Sequence, residues 1–332
     1  MLKQLVWSTC IALLGTSSLY AASPKHYLAP FSIKNQNPFI QIYGLPATEP
    51  AKLLKPGKRN TDVSLDLANS SVQFSTGNES ITIDGETYRL ALTLRIGANK
   101  DMEYGIELPF VAHSRGFMDN FIEGWHDAFG LSNAKRNATT SNTLRYEYQR
   151  NGVTLPGFTQ PNEGVGDIRL YAAKQLHTGK TSALSAHVSI KLPTGKASRL
   201  RGSGGTDISM SLAHLKQRWL SSQQLTTFLN GGLLLPGDSD YFQEIQRDVV
   251  GFGSTGIVWR AGKRIDLKAQ LDGHTSFYKS NLPQLGKYTI QLTIGGSVHL
   301  SSGARLDIAL GENLFTDTTL DYLMNFAYKQ QF

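Results

Sequence analysis

"TYRLALTLRIGANKDMEYGIELPF", residues 87–110, decides how the rest of the chain is read. Tyr88, Leu90, Leu92, Leu94 and Ile96 alternate with Thr87, Arg89, Ala91, Thr93 and Arg95. After "GANKD" the alternation resumes, with Met102, Tyr104, Ile106, Leu108 and Phe110 against Glu103, Gly105, Glu107 and Pro109. A period of two belongs to a strand with one apolar and one polar face, and two such runs around a short polar turn predict an antiparallel hairpin. Centred on Asn99, the hairpin sets Arg95 directly opposite Glu103, with Glu107 further along the same face. Strands of about ten residues, apolar on one side and charged on the other, suit a wall between lipid and a polar lumen.

The pattern recurs. Leu184, Ala186, Val188, Ile190 and Leu192 alternate with Ser185, His187, Ser189 and Lys191, and Ile265, Leu267, Ala269 and Leu271 with Asp266, Lys268, Gln270 and Asp272. Strands are predicted at 62–74, 86–97, 102–112, 164–176, 181–193, 206–217, 223–235, 249–260, 264–277, 288–300, 304–312 and 320–332. The phase slips between Leu67 and Val72, which predicts a bulge. Every second connection is tight ("GANKD", "HTGK", "AGK", "SSG"). The others are longer and polar, "TGNESITIDG" and "PTGKASRLRGSGG" among them. Short turns on one rim and long loops on the other, around an even number of strands, give an all-β fold: a transmembrane antiparallel β-barrel of about 12 strands, both termini periplasmic.

Both ends of the chain agree with export to an outer membrane. Residues 1–22 carry Lys3, an apolar stretch from Leu5 to Leu19, and small Ala21 and Ala22 before Ser23, the three parts of a signal peptide. Cleavage there removes Cys10, the sole cysteine, and leaves no thiol for a disulfide or for catalysis. It also takes the formal charge from +7 to +6. With no run of Lys or Arg, the pI of 9.3 is no argument for a nucleic-acid partner. At the other end Phe326, Tyr328 and Phe332 share a face of the last strand. An aromatic-rich terminal strand ending on Phe is an assembly signal for the barrel assembly machinery, which makes that machinery and outer-membrane lipid the expected partners.

Two segments break the period of two. In the long loop 113–163, Phe117, Met118, Phe121, Ile122, Trp125, Ala128 and Phe129 share one side of a helix near 117–130, while Asp119, Glu123, His126 and Asp127 take the other. This amphipathic helix is expected in an extracellular loop, folded over the barrel mouth with Trp125 buried, the alternative being contact of its aromatic face with the outer leaflet. Asp119, Glu123 and His126, with Arg95, Glu103 and Glu107 inside, are the candidate ligand or constriction residues. Segment 23–60 holds Pro24, Pro30, Pro38, Pro46, Pro50 and Pro56, too many for a helix or a central strand. It is either periplasmic or folded into the lumen as a plug, and its sequence does not choose between the two.

Chemistry is sparse. His187-x-Ser189 could serve an outer-membrane lipase or deacylase, but both share the face of Lys191 and point inward, away from acyl chains. No zinc spacing, dinucleotide fingerprint or phosphate loop occurs, and no metal or cofactor is expected. The stretches "NQNPF" (35–39), "DGET" (84–87), "ELPF" (107–110), "DNFIEGWHDAFGLSNAKR" (119–136), "GVGDIRL" (164–170) and "KLPTG" (191–195) resemble a family of Gram-negative outer-membrane proteins, the domain of unknown function DUF3187. The pair "GVGD…LPTG" is also similar to outer-membrane barrels of phenol meta-cleavage pathways, which are thought to pass apolar or aromatic compounds. The resemblance implies a location and a fold but no catalytic residues. The sequence is therefore read as a non-enzymatic barrel for passive transport of small solutes, apolar ones among them. The alternatives are a lipid-modifying enzyme and a structural or adhesive barrel.

Overall fold

The computed structural model describes residues 29–116, 143–218, 224–314 and 322–332. The strands, in chain order, are β1 (Arg59–Thr76), β2 (Glu79–Gly97), β3 (Met102–Ser114), β4 (Arg145–Arg150), β5 (Val153–Phe158), β6 (Asn162–Val165), β7 (Arg169–Thr178), β8 (Ser182–Lys191), β9 (Asp207–Gln217), β10 (Leu225–Leu235), β11 (Val250–Arg260), β12 (Ile265–His274), β13 (Thr289–His299), β14 (Arg305–Asn313) and β15 (Tyr322–Gln331). Twelve of them, β1 to β3 and β7 to β15, pair antiparallel with their neighbours, and β15 returns to β1 through Asn60↔Gln331 to Asn69↔Tyr322. The ring is closed and leaves no sheet edge to solvate within a bilayer. The barrel and its twelve strands are as the alternation predicts.

Alternation sorts the side chains. Leu90, Leu94, Ile96, Tyr104, Leu108, Phe110, Met210, Leu212, Ile308 and Leu310 stand exposed on the outside, while Arg89, Glu103, Glu107, Arg169, His187, Lys191, Lys268, Asp307 and Asn325 are buried inside. Apolar residues outward and ionised ones inward is the reverse of a water-soluble sandwich, and it is stable only with lipid outside.

Three expectations need correction. The β2–β3 hairpin pairs Gly97 with Glu103 and Arg95 with Gly105, so Arg95 is not directly opposite Glu103. The turn centres on Lys100, one residue later than the Asn99 assumed, which shifts each partner by two, and Ala98 and Asn99 both donate to Met102 O. No bulge interrupts β1, whose pairing with β2 is continuous from Arg59 to Thr76. The apolar phase slips because Ala68, Asn69 and Ser70 are all buried where the strand leaves the level of the other rims. "TGNESITIDG" is not a loop either. It is the top of the β1–β2 hairpin, turned at Gly77-Asn78, and β4 and β5 extend the sheet beside it.

Gly85 marks the point where β2 exchanges one partner for another. Below it Glu86 pairs with Ser114 of β3, and above it Asp84 pairs with Arg145 of β4. Its φ of +140° is closed to other residues, and a Cβ would lie 2.7 Å from Leu144 Cδ1. The long loop 113–163 thus contains strand at both ends. The helix expected near 117–130 lies outside the described residues, as does the signal peptide expected over 1–22.

Segment 29–58 lies in the lumen. From the short-turn rim, where Ser32 donates to Asp62, it climbs past Gln270 and His274 to a turn at Asn37–Tyr43 below the long loops. It then descends past Asp207, Ser254 and Ser185 and leaves beside Glu103 to enter β1. At the top, Phe39, Ile40 and Tyr43 join Ile81, Ile83, Tyr146, Tyr148, Phe242, Phe277, Tyr278 and Leu282 in an apolar cluster across the mouth. Tyr43 stacks on Phe277 at 5.0 Å, and Tyr278 donates its hydroxyl hydrogen to Phe39 O.

Candidate functional site in the barrel lumen

Segment 23–60 contains a single acid, Glu49, and the lumen is organised around it. Inward positions of β2, β3 and β7 bring Arg95, Glu103, Glu107 and Arg169 to the same wall. Glu49 accepts from Arg95 Nη2 at 2.9 Å and from Arg169 Nη1 at 2.9 Å. The other arm of Arg169 reaches Glu107 at 3.0 Å, and Glu107 also takes Lys34 Nζ at 2.6 Å and the Arg89 guanidinium. Glu103 accepts from the Leu54 backbone N–H at 2.8 Å and lies 3.5 Å from Arg95. Tyr171 stands between the two arginines, each guanidinium 5.1 Å from its ring centre. That ring needs Gly105, its pairing partner on β3, since a Cβ there would come within 2.2 Å of it.

Both ends of the segment are therefore ionically tied to one wall, Lys34 on the way up and Glu49 on the way down. Burial by itself would push the Glu49 carboxyl up, but Arg169 and Arg95 outweigh it and hold it at about 2. Glu49 is ionised at any physiological pH.

The opposite wall is arranged differently. Asp307 of β14 binds Arg305 Nε at 2.9 Å, Lys268 Nζ at 3.4 Å and Lys329 Nζ at 3.6 Å, all groups of the wall itself. The segment meets this side through the Phe31 ring, 4.6 Å from Lys268 Nζ, and through uncharged side chains, Ser32 at Lys329 and the Gln36 amide donating to Asp66. Beside the segment are two gaps of about 30 Å³, one against β10–β13 and one between Lys34, Arg89 and Lys191. Each has room for a water or two.

Arg95, Glu103 and Glu107 are thus brought together, in contact with the lumenal segment. Asp119, Glu123, Trp125 and His126 lie outside the described residues. Phe326 and Phe332 are exposed on the outer face, with Tyr328 half-buried beside them. Sequence reasoning missed Glu49, Lys34, Arg169 and Tyr171. A lone acid between Thr48 and Pro50, in a segment otherwise carrying only positive charge, was the signal available for the first.

His187 and Ser189 do point inward, and Ser189 pairs with Ser209. His187 instead meets Ser185, Nε2 to Oγ 2.8 Å, with Glu49 4.0 Å from Nδ1. The order Ser–His–Glu is that of a hydrolase triad, but it is buried in the lumen wall, with Ser185 Oγ also 3.2 Å from Pro50 O of the lumenal segment, which covers it. The motif "GVGD…LPTG" is bracing. Asp167 accepts from the Gly195 and Ser203 backbones and pairs with Lys191 at 2.8 Å, while Thr194 donates to Gly166 O.

No curated protein sequence matches the chain. Among solved structures, the COG4313 outer membrane channel from Pseudomonas putida F1 aligns over 86% of this chain and 100% of its own, with a TM-score of 0.57 and 14% identity. That likeness is one of fold. The KdgM porin aligns over 82% of this chain and 99% of its own at a TM-score of 0.41 and 8% identity. The Ralstonia pickettii toluene transporter TbuX aligns over 84% and 90% at 0.40 and 10%. A family model described as a protein of unknown function, DUF3187, matches residues 6–332, and the chain belongs to that family.

Proposed function

We propose that the protein is an outer-membrane channel for small solutes, apolar compounds included, and that segment 29–58 holds its lumen shut at rest. The observation that carries this is how the segment is attached. From Phe31 to Leu54 its bonds to the barrel run through side chains, so it can leave without breaking a strand pair. A structural barrel needs no occupant tied by detachable ion pairs, because its own side chains can fill a small lumen. The apolar solute class rests on the mouth. The aromatic cluster there is buried while the segment is in place, and movement of the segment would open it to a compound that partitions out of water.

In this orientation the short turns face the periplasm and residues 1–22 are removed on export. The outward aromatics Phe326, Tyr328 and Phe332 serve the assembly machinery. The role is non-enzymatic. The lipase alternative would require Ser185 to act from beneath Pro50, or Ser189 from a pairing with Ser209, neither in reach of lipid.

The test is conductance of the purified barrel in planar bilayers. Wild-type protein is expected to be closed most of the time with brief openings. Glu49→Gln, which keeps the shape of the side chain but removes the charge held by Arg95 and Arg169, is expected to be open most of the time. Breaking a buried pair from one side costs about 3–5 kcal/mol. An assembled Glu49→Gln barrel as silent as wild type would remove the gating claim. Acyl-chain release from lipid by the wild type would favour the enzyme.

A further inference from the structure

The outer wall carries a feature that the lumen does not explain. On β7 to β10 the pairing lines up Lys174, Ala186, Leu212 and Gly231 in one outward row, and Ala172, Val188, Met210 and Leu233 in the next. Ala172, Ala186 and Gly231 are too short to fill the surface between their neighbours. They leave a groove of about 610 Å³, bordered by Met102, Met210, Leu212 and Leu233.

Lys174 stands exposed at the short-turn end of this groove, and among the described residues no acid pairs with it. A lysine facing lipid is costly at the midplane of a barrel and tolerable near the interface, where its ammonium can extend to the headgroups. The next outward positions of β9 towards the turn are His214 and Lys216, also exposed. Lys180, Arg218, Lys263 and Arg264 continue the positive charge along this rim. Asp101, paired with Lys100, is the one acid not buried there among the described residues. An acyl-sized groove in the lipid zone that ends at an unpaired cation fits one chemical class.

We propose that this groove binds an anionic phospholipid of the leaflet at the short-turn rim. One acyl chain lies over Ala172, Ala186 and Gly231, and the phosphate is held at Lys174, with His214 and Lys216 adding positive charge beside it. The site is independent of the lumen and does not rest on the channel function.

Native mass spectrometry of the full barrel, given equal amounts of phosphatidylglycerol and phosphatidylcholine with matched chains, tests it. Wild type is expected to retain phosphatidylglycerol preferentially. Lys174→Ala should reduce that retention about fivefold and leave phosphatidylcholine unchanged. Gly231→Leu should fill the groove and reduce both lipids. The backbone accepts the new side chain, since a Cβ there meets nothing nearer than Phe252 O at 3.9 Å. Equal retention of the two lipids by wild type, or Lys174→Ala indistinguishable from wild type, overturns the proposal. So would a dimer that Gly231→Leu dissolves, because the occupant would then be a second copy of the chain.

Discussion

The two walls of the lumen hold similar charges and use them for different ends. On the β2, β3 and β7 side, Arg95 and Arg169 face an acid that is not part of the wall, Glu49 on the lumenal segment. On the β12 to β15 side, Arg305, Lys268 and Lys329 converge on Asp307, which belongs to the barrel. A buried ion pair is weak evidence of net stability, because desolvation offsets most of its attraction. What it does is specify which surfaces belong together. The Asp307 cluster joins strand to strand, and the Glu49 cluster joins barrel to occupant. Strain on the first should be felt as loss of the barrel, and strain on the second as opening.

The largest effect separates the walls directly. Asp307→Asn leaves three cations around a neutral amide and should destabilise the folded barrel by about 3–5 kcal/mol. The readout is a fall in the temperature at which the folded band converts to the unfolded one on a denaturing gel. Its openings in bilayers should resemble those of wild type. Glu49→Gln should do the reverse, with gel mobility near wild type and the lumen open. If both variants altered both readouts equally, the division of labour between the walls would be wrong.

Acid should act more gently on the same distinction. A carboxylate whose folded value is depressed contributes stability that is fully present above its ordinary value of 4.5 and is lost as pH falls through about 2. Open probability should therefore be flat from neutral pH to about 4.5 and rise below it. A barrel already carrying Glu49→Gln should lose this dependence. The smallest effect belongs to His187. Its ring bonds Ser185, and Nδ1 makes no hydrogen bond, so His187→Ala should change barrel stability by no more than about 1 kcal/mol and leave flux standing. Loss of all transport in that variant would mean the histidine does more than line the wall.

The walls were legible because a strand between lipid and a polar interior writes its geometry into every second residue. Tyr88 to Ile96 and Met102 to Phe110 place a hairpin with no outside information. The register was less legible, since pairing is fixed by turn geometry, and the Ala98–Met102 bonds moved Arg95 from Glu103 to Gly105. The lumenal segment was hardly legible at all. Its five prolines exclude regular structure, and what holds it are partners far off in the chain, such as Arg169, 120 positions from Glu49. No local pattern encodes such a pair. Only the isolation of Glu49 among basic residues hinted that something elsewhere must meet it.

The central claim, that the segment closes the lumen and must move for passage, is tested most directly by tethering it. Thr48 Oγ1 lies 2.7 Å from Ser254 Oγ, joining the descending limb of the segment to β11. Thr48→Cys with Ser254→Cys should allow a disulfide between the two, and Cys10→Ser, which replaces the sole native cysteine, excludes a competing thiol. Combined with Glu49→Gln, the oxidised protein should be closed in bilayers, and reductant added to the same membrane should open it. Equal conductance before and after reduction, with the crosslink verified by mass, would contradict the account.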